Sequence, residues 1–400
     1  MKSKKPTSEW QERSKTVLAQ NEPGTNSKRS SQYVRGVYPT HIESGYGCFL
    51  IDPWGNRYID FVCGLGSIIL GYRPAQILDA VSTQLSKGIS HSLPSTLEVE
   101  VAEQLSALIP SAEKIRFLKT GSEACSAAIR IARTATGRKQ ILSRGYHGHS
   151  DIFTSLTEPA LGISDSFNIK SFKEASEITT DTAAVIVEAL ELEATPKWFD
   201  YLRSLREACD RTGALLIFDE VITGFRTPKF CVSTWIGVKP DLICLGKAVA
   251  NGFPLSVVAG KREVMDCGEY FISSTFSGEC ASLAAAQHVM TIIETKKNLE
   301  DLWFYGDRLR RNLNALLPEV LFEGYGTRAM LNTTNPTTAL FMQECCKAGI
   351  LFGKAWFFNF AHLEENIENF VLNVCSSVAE RIKRGEVKLE GSAPQETFKR

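Results

Sequence analysis

Short, almost wholly apolar runs alternate with longer amphipathic stretches through the middle of the chain. Residues 115–118, 183–187, 214–218, 242–245 and 257–259 carry no polar alternation. Runs of this length suit strands buried on both faces of a mainly parallel sheet. Stretches between them, such as 198–212, are long enough for helical crossovers, so the pattern predicts an α/β domain. Residues 74–87 and 96–108 have helical spacing, and from about Ala281 helices dominate, most clearly over 302–317 and 367–384. Residues 47–61 read as a hairpin turning at Asp52-Pro53-Trp54-Gly55-Asn56. Residues 324–351, with their Thr, Asn and Pro cluster, predict a small α+β lobe.

The first 35 residues break the pattern. They are polar, show little periodicity, and read as a flexible basic arm. Eight cations (Lys2, Lys4, Lys5, Arg13, Lys15, Lys28, Arg29 and Arg35) stand there against three acids. Such an arm could touch a polyanion, but a solvated tail is the plainer reading. Over all 400 residues, 45 basic and 45 acidic side chains balance, which argues against a protein built to neutralise nucleic-acid phosphates. Eleven cysteines without a CxxC pair or other metal spacing point to buried free thiols in a reducing compartment, with no metal expected. No run of about 18 apolar residues and no leader-like segment is visible, so a cytoplasmic protein that does not enter membranes is the expectation.

Candidate chemistry gathers at strand ends. Two apolar runs end in carboxylates, Glu188 and Asp219-Glu220, and a third ends Leu245-Gly246-Lys247. Ligands of open α/β sheets bind beyond the carboxyl ends of strands, although acids there also cap loops or pair with surface arginines. A poorly hydrated lysine becomes a usable nucleophile and can form Schiff bases, yet most lysines in such places merely mark a strand exit. After residues 115–118 comes Lys119-Thr120-Gly121-Ser122-Glu123-Ala124, with the Thr120/Glu123 spacing of a capping box. That helix start offers N–H groups to an anion; an ordinary capped helix is the alternative. Together these parts match what a pyridoxal ring demands. Asp219 would hold the pyridine nitrogen, Val221 would cover one ring face, and Tyr146 of Tyr146-His147-Gly148-His149 would stack on the other.

On these residues the sequence resembles the class III pyridoxal 5'-phosphate (PLP) dependent aminotransferases, and among them the glutamate-1-semialdehyde aminomutase-like subgroup. The resemblance is carried by Gly55-Asn56-Arg57-Tyr58-Ile59-Asp60, Thr120-Gly121-Ser122-Glu123-Ala124 and Tyr146-His147-Gly148-His149. Asp219-Glu220-Val221-Ile222-Thr223-Gly224-Phe225-Arg226, Gly246-Lys247, Gly252-Phe253-Pro254 and Thr275-Phe276-Ser277-Gly278 complete it. It implies the aspartate-aminotransferase-like fold (fold type I): a large domain with a mainly parallel central sheet, and a small α+β lobe built from both chain ends. The implied divisions are the arm over 1–35, the N-terminal part of the small lobe over 36–70, the PLP-binding domain over 71–290, and the C-terminal small domain over 291–400.

The resemblance also implies roles. Lys247 carries the cofactor as a Schiff base and acts as general base, and Asp219 holds the ring nitrogen. Gly121 and Ser122 bind phosphate, Tyr146 and Val221 enclose the ring, and Glu188 lies close to cofactor and substrate. Thr275 reaches the cofactor of the neighbouring subunit, so a homodimer is implied. His147 lines the same pocket or serves its own loop. Departures cluster around the substrate: Glu188-Ala189 replaces a Glu-Pro pair, and Leu190-Glu191-Leu192-Glu193-Ala194-Thr195 replaces a glycine-containing loop. Leu65, Tyr72-Arg73-Pro74 and Asn359-Phe360-Ala361-His362 also differ. The implied activity is amino-group transfer. PLP-dependent decarboxylation, a 2,1-amino shift, and a non-catalytic binding protein of the same fold are the alternatives.

Overall fold

A computed structural model of the chain describes residues 8–19, 32–157, 162–164 and 167–395. The chain forms two compact units, one from Ala75–Asp301 and one from Met1–Pro74 with Leu302–Lys399.

The Ala75–Asp301 unit is organised by a seven-stranded sheet. Its strands are β1 (Lys114–Leu118), β2 (Gln140–Arg144), β3 (Ile169–Ser171), β4 (Thr182–Glu188), β5 (Leu215–Glu220), β6 (Leu242–Leu245) and β7 (Ser256–Gly260). Their order across the sheet is β1-β7-β6-β5-β4-β2-β3. β7 runs antiparallel to both its neighbours, whereas the pairings β6–β5, β5–β4, β4–β2 and β2–β3 are parallel. All residues of β4, β6 and β7 are buried, which explains why these segments read as unbroken apolar runs. Strands β2 and β3 escaped the sequence pattern. Gln140-Ile141-Leu142-Ser143-Arg144 mixes polar and apolar residues, and Ile169-Lys170-Ser171 is a short edge strand.

Helices connect these strands, and their ends are chemically specified. Gly121–Thr136 begins with Thr120 in a reciprocal capping box with Glu123 and ends at left-handed Gly137. Its Ala127, Ala128, Ile131 and Ala132 are buried in the core with Ile186, Ile217 and Val258. Pro196–Thr212 starts at N-cap Thr195 with proline in its first turn and ends at left-handed Gly213. Cys280–Lys296 runs past the expected border at 290 because Ile292 and Ile293 continue its buried face.

The other unit contains the expected hairpin. Phe49–Ile51 and Arg57–Asp60 pair antiparallel, and Asp52 Oδ1 closes the turn by accepting from the Trp54 and Asn56 amides. Ile350–Leu351 adds to Arg57–Asp60 in parallel, so sequence-distant segments share one sheet. Phe322–Tyr325, Arg328–Leu331 and Ala355–Phe357 form a second sheet. Phe61, Phe352 and Trp356 stack in the core, and buried His362 stacks on Phe61 at 4.6 Å while meeting the Asp60 carbonyl at 3.0 Å. Within the stretch read as a flexible arm, Ser8–Val17 is helical. Ser14 Oγ lies 2.9 Å from His41 Nε2, a tertiary contact that periodicity cannot reveal. Residues 1–7 and 20–31, with most of the arm's cations, lie outside the described residues. No helix among the described residues is long and apolar enough to cross a membrane.

Candidate active site

The parallel register places three acidic or basic side chains along one edge of the sheet. Glu188 pairs with Asp219 across β4 and β5, and Asp219 pairs with Cys244 across β5 and β6. Lys247 stands two residues beyond the end of β6, with strands spaced about 4.8 Å apart. All three residues line one cleft. Thr120, Gly121, Ser122, Tyr146, His147 and Val221 line the same cleft. Two residues singled out from the sequence are outside it: Thr275, in an exposed segment, and Glu220, whose buried carboxylate accepts from the Val232 and Ser233 amides instead.

The chain turns sharply after β6. Lys247 has φ 44°, a left-handed conformation that costs a residue with a side chain on the order of 1–2 kcal/mol. Gly246 before it is extended, and Lys247–Ala250 forms a single 3₁₀ turn. The strained turn takes the lysine out of the strand direction and into the cleft wall.

Asp219 is buried and held from both sides. Its Oδ1 accepts from the Val221 amide at 3.0 Å, and its Oδ2 lies 2.7 Å from His147 Nδ1. His147 Nε2 is 3.1 Å from the Arg144 carbonyl. The imidazole is thus held between the Asp219 carboxylate and the backbone of its own loop. Imidazole and carboxylate form a buried pair at the end of β5. Behind them, the ligand atoms of Cys125, His147 and Asp219 lie within 4.8 Å of one another. Burial pushes the Cys125 thiol well above its ordinary pKa, and neighbouring Cys244 and Asp219 push the same way. A protonated thiol is a poor metal ligand, so this cluster backs the carboxylate with a weak donor.

A helix N-terminus lines the same cleft. Of the four amides that a helix leaves without partners, the capping box satisfies Thr120 N and Glu123 N. The remaining two belong to Gly121 and Ser122, and both residues line the cleft. A Cβ at Gly121 would lie 2.6 Å from Val221 Cγ1, so glycine lets the helix start approach Val221. The Ser122 hydroxyl is already engaged. It accepts from the His149 and Ser150 amides at 3.1 and 3.0 Å and meets Ser150 Oγ at 2.7 Å. It therefore fastens the Tyr146–His149 loop to the helix. Gly148 permits that closeness, since a Cβ there would lie 2.4 Å from Ser122 Cβ.

Glu188 shapes the same loop by accepting from the Tyr146 amide at 2.7 Å. The segment after it, which departs from the family pattern, is anchored elsewhere. The Trp198 indole donates to the Ala189 carbonyl at 2.8 Å, and Arg144 pairs with Glu191 at 2.9 Å while lying over the rings of Trp198 and Tyr201. Leu190 remains in the cleft lining.

The donor set fits PLP. A free pair of helix amides suits a phosphate, a buried carboxylate suits a protonated ring nitrogen, Val221 and Tyr146 offer surfaces for a flat ring, and Lys247 offers an amine. Sequence reasoning missed the His147–Asp219 pair as such. Its only trace was the Tyr146-His147 sequence after a strand that the pattern had not identified.

Comparison with known proteins agrees with this chemistry. The family model for class III aminotransferases matches residues 32–176 and 167–356. Glutamate-1-semialdehyde 2,1-aminomutase 2 of Halalkalibacterium halodurans is 34% identical over 76% of this chain and 78% of its own length. Glutamate-1-semialdehyde 2,1-aminomutase of Legionella pneumophila is 32% identical over 88% and 83%. Among solved structures, the FumI protein of Sphingopyxis sp. MTA144, in its PLP internal aldimine form, superposes with a TM-score of 0.86 at 27% identity, covering 96% of this chain and 97% of that one. The chain therefore belongs to the class III aminotransferases, and it is a PLP-dependent enzyme of fold type I.

Proposed function

We propose that the protein moves an amino group between an amine and a carbonyl compound, with Lys247 as its reactive amine and Asp219 as the partner of the cofactor's ring nitrogen. The observation that carries this reading is the convergence of Lys247, the Asp219–His147 pair and the Gly121–Ser122 helix start on one cleft. When bound, PLP supplies a carbonyl carbon that condenses with amines and a cationic ring that takes up electrons from a breaking bond.

The chain's residues divide the remaining work. The Gly121 and Ser122 amides, at the positive end of their helix dipole, hold the phosphate. Asp219, fixed by His147 and the Val221 amide, would pair with the ring nitrogen and favour its protonated form. Val221 and Tyr146 would offer the flat ring apolar and aromatic cover. Lys247 Nζ would hold the cofactor, and its free amine would be the base that moves a proton at the substrate carbon. Glu188 fixes the Tyr146 loop, and Leu190 gives the substrate side an apolar contact.

The same reading includes a homodimer in which Thr275 of one subunit completes the phosphate site of its partner. Two features support it. Thr275 is exposed and stands outside its own subunit's cleft. Phe271, Phe276, Leu93 and Val99 are large apolar side chains left exposed on the Ala75–Asp301 unit, with relative exposures of 81%, 59%, 79% and 59%. The cytoplasm is the proposed location, because all eleven cysteines are free thiols.

A 2,1-amino shift within one substrate is the second reading, favoured by the two aminomutases that are 34% and 32% identical. One experiment separates the readings. The PLP-loaded enzyme is offered ¹⁵N-labelled amines with and without an added keto acid. Transfer of label to the keto acid supports the first reading, and product formed without any acceptor supports the second. If no amine bleaches the PLP absorbance, both fail. Asp219→Asn is expected to lower the rate by about 10²–10⁴-fold, the range for loss of a proton-handling group.

A further inference from the structure

We propose that Lys119, which is not part of the cleft lining, is a positioning residue that sets the affinity for the cofactor's phosphate through an ion pair with Glu279. This inference rests on the reading of the cleft given above. Lys119 directly precedes the N-cap Thr120, and its own amide is 2.9 Å from Glu123 Oε2, within the capping network. Its ammonium donates to Glu279 Oε1 at 2.8 Å and to the Pro254 carbonyl at 3.1 Å. Both ion-pair partners are largely buried, with side-chain exposures of 13% and 11%.

One ammonium thus joins two segments that line the cleft and a third that carries Thr275. The first is the helix start at Gly121–Ser122. The second follows Lys247, since Pro254 lies in the connection from the Lys247–Ala250 turn to β7. The third ends in Glu279, four residues after Thr275. Glu279 is itself the N-cap of Cys280–Lys296, accepting from the Ala281 and Ser282 amides at 2.9 and 3.1 Å. Ser256, at the start of β7, ties the second segment to the first by donating to the Thr120 carbonyl at 2.7 Å. The two orphan amides can meet a phosphate only if the helix start keeps its place relative to the lysine-bearing turn. A largely buried charge pair does this with more directional constraint than apolar packing, and removing one partner leaves the other charge stranded.

The test compares PLP with pyridoxal, which has the same ring and aldehyde but no phosphate. Affinities are measured by absorbance titration of the apoenzyme for wild type, Lys119→Met, Glu279→Gln and the double variant. Glu279→Gln keeps an oxygen for the helix cap and guards against a variant that fails to fold. The expected result is a loss of PLP affinity of roughly tenfold in each single variant, with pyridoxal affinity unchanged and the double variant no worse than the weaker single. Equal losses for PLP and pyridoxal would mean a general structural defect and would overturn the proposal, as would unchanged PLP affinity. Lys247→Ala, titrated in parallel, must lose the absorbance band of lysine-bound cofactor. If it does not, the reading of the cleft fails, irrespective of the ion pair.

Discussion

Replacing Gly121 with alanine tests how closely the cofactor cradle is built. The added Cβ would lie 2.6 Å from Val221 Cγ1 and 3.0 Å from Cγ2. Carbon atoms in contact normally sit about 3.5–4.0 Å apart, so the overlap is about 1 Å. Val221 is itself buried, with its Cγ1 also facing Gly246. Overpacking of this kind costs about 1–3 kcal/mol, and the better helix propensity of alanine returns at most about 1 kcal/mol. A net loss of about 1–2 kcal/mol corresponds to roughly 5- to 30-fold weaker PLP binding if the strain is relieved by moving the helix start away from the cleft. Absorbance titration of the apoenzyme reads the affinity, and urea unfolding reads the stability. Val221→Ala in the same chain removes both clashing methyl groups, so the double variant should lose less than the sum of the singles by about 1 kcal/mol. Wild-type PLP affinity in Gly121→Ala, or strictly additive losses, would refute this reasoning.

Three further outcomes follow from the geometry. Ser122→Ala strands the His149 and Ser150 amides and should cost about 1–3 kcal/mol in urea unfolding, loosening the Tyr146 loop. Trp198→Phe keeps the aromatic surface beneath Arg144 but removes the donor to Ala189; about 1 kcal/mol of stability should be lost, with a rise in substrate KM as the Leu190 segment shifts. Burial raises the pKa of Glu279, but bonds from Lys119 and Ser282 outweigh it and hold the carboxyl below the ordinary glutamate range. A depressed folded-state pKa gives stability that is complete above the unfolded value and is lost as pH falls through the folded one. Melting temperature should therefore fall in acid less steeply for Glu279→Gln than for wild type.

Much of the sheet was legible because β4, β5, β6 and β7 are buried enough to require continuous apolar runs. Gln140–Arg144 was not, since Gln140, Ser143 and Arg144 carry polar groups used locally: the Arg144 carbonyl meets His147, and its guanidinium pairs with Glu191. The direction of β7 was equally hidden, because antiparallel and parallel neighbours can bury the same Val and Ala residues. Strand-end Asp219 and Lys247 were found because each follows an apolar run. His147 and Lys119 were obscure for a different reason: each acts through a partner more than 70 residues away, Asp219 and Glu279 respectively. The basic character of the arm was plain, yet Ser8–Val17 is helical, with a low density of apolar residues that periodicity alone does not mark.

Borohydride reduction of the PLP-loaded enzyme, followed by peptide mass spectrometry, probes the central assignment most directly, because it freezes the cofactor onto whichever amine holds it. The account predicts a single phosphopyridoxyl adduct on Lys247, absent from Lys247→Ala. An adduct on another lysine, with Lys247 unmodified, would contradict it.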